Sequence, residues 1–256
     1  MIDFYNMIKR LENFVSVFNT QKNNYEAFTL AEVLVTLSII GVVSAMTIPT
    51  IHQRHSEQTT VNKLKKFYST ASQAYQKAVV EYGDIYEWGV KGASKEDALI
   101  IYNNMIKDNF KIVVDCGFEN NKKCLTDGDY FWLNGSNIGN YYAGNKGGYY
   151  YYKMLLQDGT SVWIRGDKDQ IINFFIDVNG PQKPNQWGKD LFGCSVLDGK
   201  LLPGGTPTAL NPFDTSCKKN SNGFGCGAWV IYKGNMDYLH CDDLKWNGKQ
   251  KCSNKK

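Results

Sequence analysis

Up to Glu26 charged residues of both signs, Lys9, Arg10 and Lys22 against Asp3, Glu12 and Glu26, stand among the apolar ones, and then the pattern changes. Ala27 to Ile51 reads AFTLAEVLVTLSIIGVVSAMTIPTI, an apolar run broken by one ionisable side chain, Glu32. As a helix, Phe28 to Ile48 extends about 32 Å, close to the roughly 30 Å hydrocarbon thickness of a bilayer. Beyond Pro49 the run gives way to an amphipathic pattern. Ile51, Val61, Leu64, Phe67, Tyr68, Ala71, Ala74, Tyr75, Ala78, Val79 and Tyr82 recur mostly at three- and four-residue steps, with His52, Arg54, Glu57, Lys63, Lys66 and Lys77 on the other face. The pattern predicts one helix from Phe28 to Tyr82, about 80 Å long, whose second half needs a surface to cover its apolar stripe.

Gly83 and Asp84 end that helix. A second is expected after Ser94, with Asp97 completing a capping box and Ala98, Ile101, Tyr102, Met105 and Ile106 forming its apolar face. Lys111 to Asp115 reads as a short extended segment. Tyr130 to Tyr152 is rich in Tyr, Gly and Asn; such loops bind sugars or partners in some proteins and more often cover a sheet edge. Tyr152 to Gln157 and Thr160 to Arg165 then flank Asp158-Gly159, a hairpin signal, and Ile171 to Val178 reads as a buried strand. Asp190 to Leu197 and Lys200 to Leu202 flank a second hairpin turn, Asp198-Gly199. Four or five antiparallel strands result, on which the amphipathic half of the long helix can lie. Cys226 to Tyr232 fits a short helix or a strand equally well. The expected class is α+β.

Composition adds a compartment. All seven cysteines follow the apolar run, which suits an oxidising environment where disulfides each contribute about 2 to 4 kcal/mol to a small domain. Cys116 with Cys124 and Cys217 with Cys226 are the easiest local pairs, Cys241 with Cys252 is preferred for the third, and one thiol is left over. A net charge of +4 is modest and dispersed. Nucleic acid is therefore not favoured as a partner.

Glu32 is the awkward feature of the apolar run, because a carboxylate in a membrane helix is costly and usually has a partner or a task. An ordinary signal peptide has an apolar core of about 7 to 15 residues with the cleavage site after it, and this run is longer. Ala27-Phe28-Thr29-Leu30-Ala31-Glu32 with the apolar residues after it instead resembles the processing site of type IV pilins and type II secretion pseudopilins. The resemblance covers Ala27 to Tyr82 well and the remainder loosely. It implies a leader over residues 1–27, a cut between Ala27 and Phe28, N-methylation of Phe28, a membrane and assembly helix over 28–51 and an extracytoplasmic domain over 52–256. It also assigns Glu32, Gly41 and Pro49 to assembly. Ala27 departs from the family's usual glycine at the cut.

The remaining chemistry is sparse. Asp177-Val178-Asn179-Gly180 with Asn185 and Asp190 is the most metal-like stretch; Asp177, Asn179 and Asp190 offer hard oxygens of the kind calcium takes, and some pseudopilins carry calcium in a sheet-end loop. The spacing is not that of an EF-hand, and a turn held by Asx hydrogen bonds accounts for the same residues. His52, His55 and Glu57 read as interfacial polar residues, and His240 beside Cys241 as a disulfide neighbour. No phosphate loop, nucleophile elbow or pair of catalytic carboxylates is present, so catalysis is not expected.

The expectation is a structural subunit, a minor pilin or pseudopilin, held in the inner membrane by one span and then drawn into a filament. Its partners would be a prepilin peptidase, an inner-membrane assembly platform and other pilin-type subunits. A membrane-anchored binding or adhesin domain that never polymerises is the competing reading.

Overall fold

The computed structural model describes residues 29–139, 149–168, 171–209 and 211–252. The described residues up to Ser56, 29–56, form one compact unit and those from Glu57 a second. A single helix, α1 (Leu30–Tyr82), supplies residues to both.

In the second unit α1 buries Val61, Leu64, Phe67, Ala71, Ala74, Tyr75 and Ala78, a stripe with the three- and four-residue spacing of one helical face. The stripe is shorter than its sequence pattern: Ile51 and Tyr82 are exposed, and burial starts at Thr60. Gly83, at φ 80°, takes a left-handed conformation that ends the helix. Helix α2 (Lys95–Ile101) starts as its sequence implies. Ser94 Oγ accepts from Asp97 N at 3.1 Å while Asp97 Oδ2 accepts from Ser94 N at 3.2 Å. It runs into one π turn at Tyr102–Ile106, which keeps Met105 and Ile106 buried with Ala98 and Ile101.

The sheet holds six strands in the order β1 (Ile112–Gly117), β4 (Tyr152–Leu156), β5 (Ser161–Gly166), β6 (Ile172–Asp177), β7 (Leu191–Leu197) and β8 (Lys200–Pro203). Every neighbouring pair is antiparallel. A small hairpin, β2 (Tyr130–Phe131) with β3 (Asn137–Gly139), lies between β1 and β4 in sequence. Asp158-Gly159 and Asp198-Gly199 form the expected turns, with positive φ at Gly159, Asp198 and Gly199. The strand at 112–117 makes the sheet larger than the four or five strands the pattern suggests. Two irregularities in its pairing with β4 break the alternation by which a strand is recognised.

Alternation along β6 divides two cores. Ile172, Phe174 and Ile176 join the main cluster with the α1 stripe, and the rings of Phe67 and Phe174 meet edge-on at 6.1 Å. The opposite face carries a smaller cluster of Leu125, Tyr130, Tyr151, Trp163, Trp187 and Leu191. Backbone bonds from Phe131 N to Asn185 O and from Trp187 N to Phe131 O tie the small hairpin to the loop between β6 and β7.

The ambiguous segment near Cys226 is a helix, α4 (Gly227–Lys233), preceded by a short α3 (Phe213–Ser216). Trp229 from α4 stacks on Phe213 at 4.2 Å. Disulfides join Cys116 to Cys124, Cys217 to Cys226 and Cys241 to Cys252, the three pairs favoured by spacing. The odd cysteine, Cys194, is buried in the main core, and burial pushes its thiol far above the ordinary range, so it serves as a small apolar side chain.

Lys153 is an exception to the apolar interior. It is fully buried on β4, donates from Nζ to Phe118 O at 3.1 Å, and burial lowers its pKa to about 8. Between pH 8 and the ordinary lysine range the unfolded chain holds more protons than the folded one, so this group makes stability rise with pH through that window. Lys153→Met is therefore expected to stabilise the second unit at pH 7. Its advantage over wild type should shrink by about 3 kcal/mol as the pH is raised to 10.5. Denaturant melts of both proteins across this range would test it, and a pH-independent difference would count against it.

Candidate functional site

The first unit presents an apolar helix surface that is exposed among the described residues. Leu30, Leu34, Leu37, Ile40, Met46 and Ile48 are all more than half exposed. The helix is long and apolar enough to cross a membrane. Four of its hydroxyls bond back to the helix: Thr36 donates to Val33 O, Ser38 to Leu34 O, Thr47 to Val43 O and Thr50 to Met46 O. The span therefore offers mostly apolar atoms to its surroundings and keeps these weak donors occupied.

Glu32 sits in the first turn of α1 and closes a capping box with Thr29. Thr29 Oγ1 accepts from Glu32 N at 3.2 Å, while Glu32 Oε2 accepts from Thr29 N at 2.8 Å and from Thr29 Oγ1 at 2.9 Å. The T-x-x-E spelling carried this signal, and reading Glu32 only for its charge missed it. Among the described residues nothing lies inside 4 Å of where a Gly41 Cβ would stand, so their packing gives no reason for a glycine. Pro49 lies inside α1 and removes the N–H that would donate to Ala45 O, a point of weakened helix. Ala27 and Phe28, the residues expected to flank the cut, lie outside the described residues.

The second candidate lies where β6 ends. Asp177 faces Ser161 across β5 and Leu191 across β7, on the side of the smaller cluster, and is 1% exposed. The loop that follows folds back so that Asp190 meets it. Val178 N donates to Asp190 O at 2.9 Å, and Asn185 N and Gln186 N donate to the Asp190 carboxylate at 2.7 and 2.6 Å. Burial raises the pKa of Asp190 to about 6 in spite of those two amides. Burial also raises Asp177 well above the carboxylate range; the Asp190 charge adds to this, while the Asn179 and Gly180 amides and Lys63 oppose it. Lys63, from α1, donates to Val178 O at 2.7 Å rather than to either carboxylate. Asp177, Asn179 and Asp190 are thus brought to one strand end, and Asn185 joins them.

Other sequence candidates resolve differently. Glu57 is not simply solvated: it accepts from His240 Nε2 at 2.9 and 3.1 Å, so His240 contacts the middle of α1 as well as adjoining a disulfide. On the second face of the sheet, the Arg165 guanidinium lies 4.3 Å from the Tyr149 ring centroid and pairs with Asp167 at 2.8 Å. Trp132, Tyr151, Phe175 and Phe224 flank it in an open cleft of about 350 Å³. Among the described residues, no group of three or more His, Cys, Asp and Glu side chains gathers as a metal set.

Two family models match the sequence. One, described as a family of unknown function (DUF6613), covers residues 50–194, and the other, described as the prokaryotic N-terminal methylation motif, covers residues 22–48. The latter is the prepilin-type cleavage and methylation motif of type IV pilins and pseudopilins. No curated protein and no solved structure matches the chain.

Proposed function

The chain belongs to the family of unknown function DUF6613 and carries a prepilin-type methylation motif, and from that premise we propose that it is a structural subunit of a type IV pilus or type II secretion-type filament. In this reading a prepilin peptidase cuts between Ala27 and Phe28 and Phe28 is N-methylated. The mature protein waits in the inner membrane, its disulfide-bonded domain extracytoplasmic, and an assembly platform there adds it to other pilin-type subunits. The observation that carries the proposal is the residue content of the motif-bearing segment: an apolar surface exposed among the described residues, with a single carboxylate near its start. A span that needed only lipid would have no use for that charge.

Glu32 pairs, in the assembled state, with the amino group of a neighbouring subunit's Phe28. Both charges are costly in apolar surroundings, and pairing them fixes which turn of one helix meets which turn of the next. Gly41 and Pro49 allow local unwinding as the helix exchanges lipid for protein. The role is mechanical: Cys194, the thiol outside the three disulfides, is buried in the main core and is not presented as a nucleophile.

Mass spectrometry of the mature amino terminus tests the route. N-methyl-Phe28 is expected, and an intact leader or a start near Met46 would overturn the proposal in favour of a non-polymerising anchored domain.

A further inference from the structure

We propose that the sheet face opposite the α1 stripe binds a neutral sugar unit of a glycan, in the cleft where Arg165 meets Trp132, Tyr149, Phe175 and Phe224. The inference stands apart from the filament reading, because every residue it uses lies in the second unit.

Sheet register builds the polar side of the cleft. Arg165 on β5 stands opposite Asn173 on β6, and Asn173 opposite Ser195 on β7. The row is cross-linked. Ser195 Oγ donates to Asn173 Oδ1 at 2.8 Å, Asn173 Nδ2 to Asp167 Oδ2 at 3.4 Å, and Arg165 Nη2 to the same carboxylate oxygen at 2.8 Å. Neighbouring strands lie about 4.8 Å apart, so donors and acceptors are set out at the scale of one sugar ring. A serine hydroxyl has two lone pairs and an asparagine amide two hydrogens, which leaves both side chains capacity beyond these bonds. Arg165, Asn173 and Ser195 are all partly exposed among the described residues.

Rings build the other side. Trp132 and Phe224 meet at 79° with centroids 5.0 Å apart, a corner rather than a stack, and the Tyr149 ring lies 4.3 Å from the Arg165 guanidinium. Trp132, Tyr149, Phe175 and Phe224 pack on the smaller core and stay partly exposed among the described residues. Two hollows result, about 350 Å³ against the rings and about 290 Å³ against the polar row, and Arg165, Phe175 and Phe224 line both. Each is at the lower end of the size range of small-ligand sites.

The chemistry of the walls selects the occupant. A pyranose has an apolar C–H face, which lies on an aromatic ring, and a rim of hydroxyls that both donate and accept. The guanidinium is already paired with Asp167, so an anionic ligand would have to displace that carboxylate and a cationic one would meet the guanidinium. Proline-rich peptides also enter ring-lined grooves, but proline has no N–H and would leave the acceptors of the polar row unanswered.

Full-length protein, in a detergent without a sugar headgroup, is titrated with three sets of probes. These are neutral oligosaccharides of glucose, galactose, mannose and N-acetylglucosamine, their sialylated and sulfated counterparts, and a proline-rich peptide. Binding is followed by tryptophan fluorescence and ligand-observed NMR. At least one neutral oligosaccharide is expected to bind, and its charged counterparts no more tightly. Tyr149→Ala should weaken that binding roughly tenfold, and Tyr86→Ala, which removes an exposed ring just after α1, should leave it unchanged. Binding of charged sugars alone, of the peptide alone or of no probe overturns the proposal, as does an affinity that Tyr149→Ala leaves intact. Should Tyr149→Ala not fold, Ser195→Ala decides: an affinity lowered about fivefold supports the cleft, and an unchanged one rejects it.

Discussion

Glu32→Gln is expected to yield a processed, membrane-held protein that is missing from filaments, its sheared-fraction signal at least tenfold below wild type. The choice of glutamine follows from the capping box. Glu32 accepts from Thr29 N at 2.8 Å, a contact that an amide oxygen can keep, so the first turn of α1 should survive the change. What glutamine removes is the charge. A Phe28 ammonium brought into apolar contact without a counter-ion costs several kcal/mol, and each 1.4 kcal/mol is tenfold in an equilibrium. Glu32→Ala loses both charge and cap, the cap being worth about 1 kcal/mol. If the charge matters, glutamine and alanine fail alike. Immunoblots of sheared and cell-bound fractions would read this directly. Normal assembly of the glutamine variant would mean that Glu32 is only a helix cap, and the proposed pairing would be wrong.

That ambiguity shows how far sequence reasoning reaches here. Features written in local spacing were legible: the Ser94–Asp97 capping box, the two Asp-Gly hairpins, the α1 stripe and three cysteine pairs eight, nine and eleven residues apart. Each depends on neighbours within about a dozen positions, where spacing and propensity suffice. Features that depend on the tertiary fold were not legible. Glu57 meets His240 across 183 positions, so its burial cannot be read from the polar stretch around it. Pairing β1 with β4 crosses the small hairpin and contains two shifts. At the strand end, DVNG marked Asp177 and Asn179 and the downstream Asp190 was noticed. The central fact, that Asp177 lies 1% exposed, arises only when β5 and β7 close on both sides of β6. Gly41 is the converse case: the resemblance flags it, and packing among the described residues gives it no reason.

Glycines also carry the second large effect. Gly205→Ala is expected to destabilise the second unit by about 4 kcal/mol or more, whereas Gly89→Ala costs about 1 kcal/mol. Both glycines have positive φ, 113° and 77°, so a side chain is strained at either. They differ in what the side chain meets. Around Gly89 nothing lies within 4 Å, but at Gly205 a Cβ would stand 2.0 Å from Gly225 O and 3.2 Å from Ala228 Cβ. Neither segment is free to retreat. Gly205 O accepts from Phe213 N at 3.1 Å and Gly204 O from Ala228 N at 2.7 Å, while Cys226, next to Gly225, is tied to Cys217. Opening this contact would also disturb the stack of Phe213 on Trp229. Gly204→Ala separates the causes: its φ is ordinary, yet its Cβ would lie 2.4 Å from Phe224 O, so it should carry most of the contact cost without the backbone strain. Thermal unfolding should rank the midpoints Gly89→Ala, then Gly204→Ala, then Gly205→Ala, the last about 10 °C or more below wild type. Equal losses at Gly89 and Gly205 would show that backbone strain alone is responsible, and that the close approach of these two chain segments contributes little to the fold.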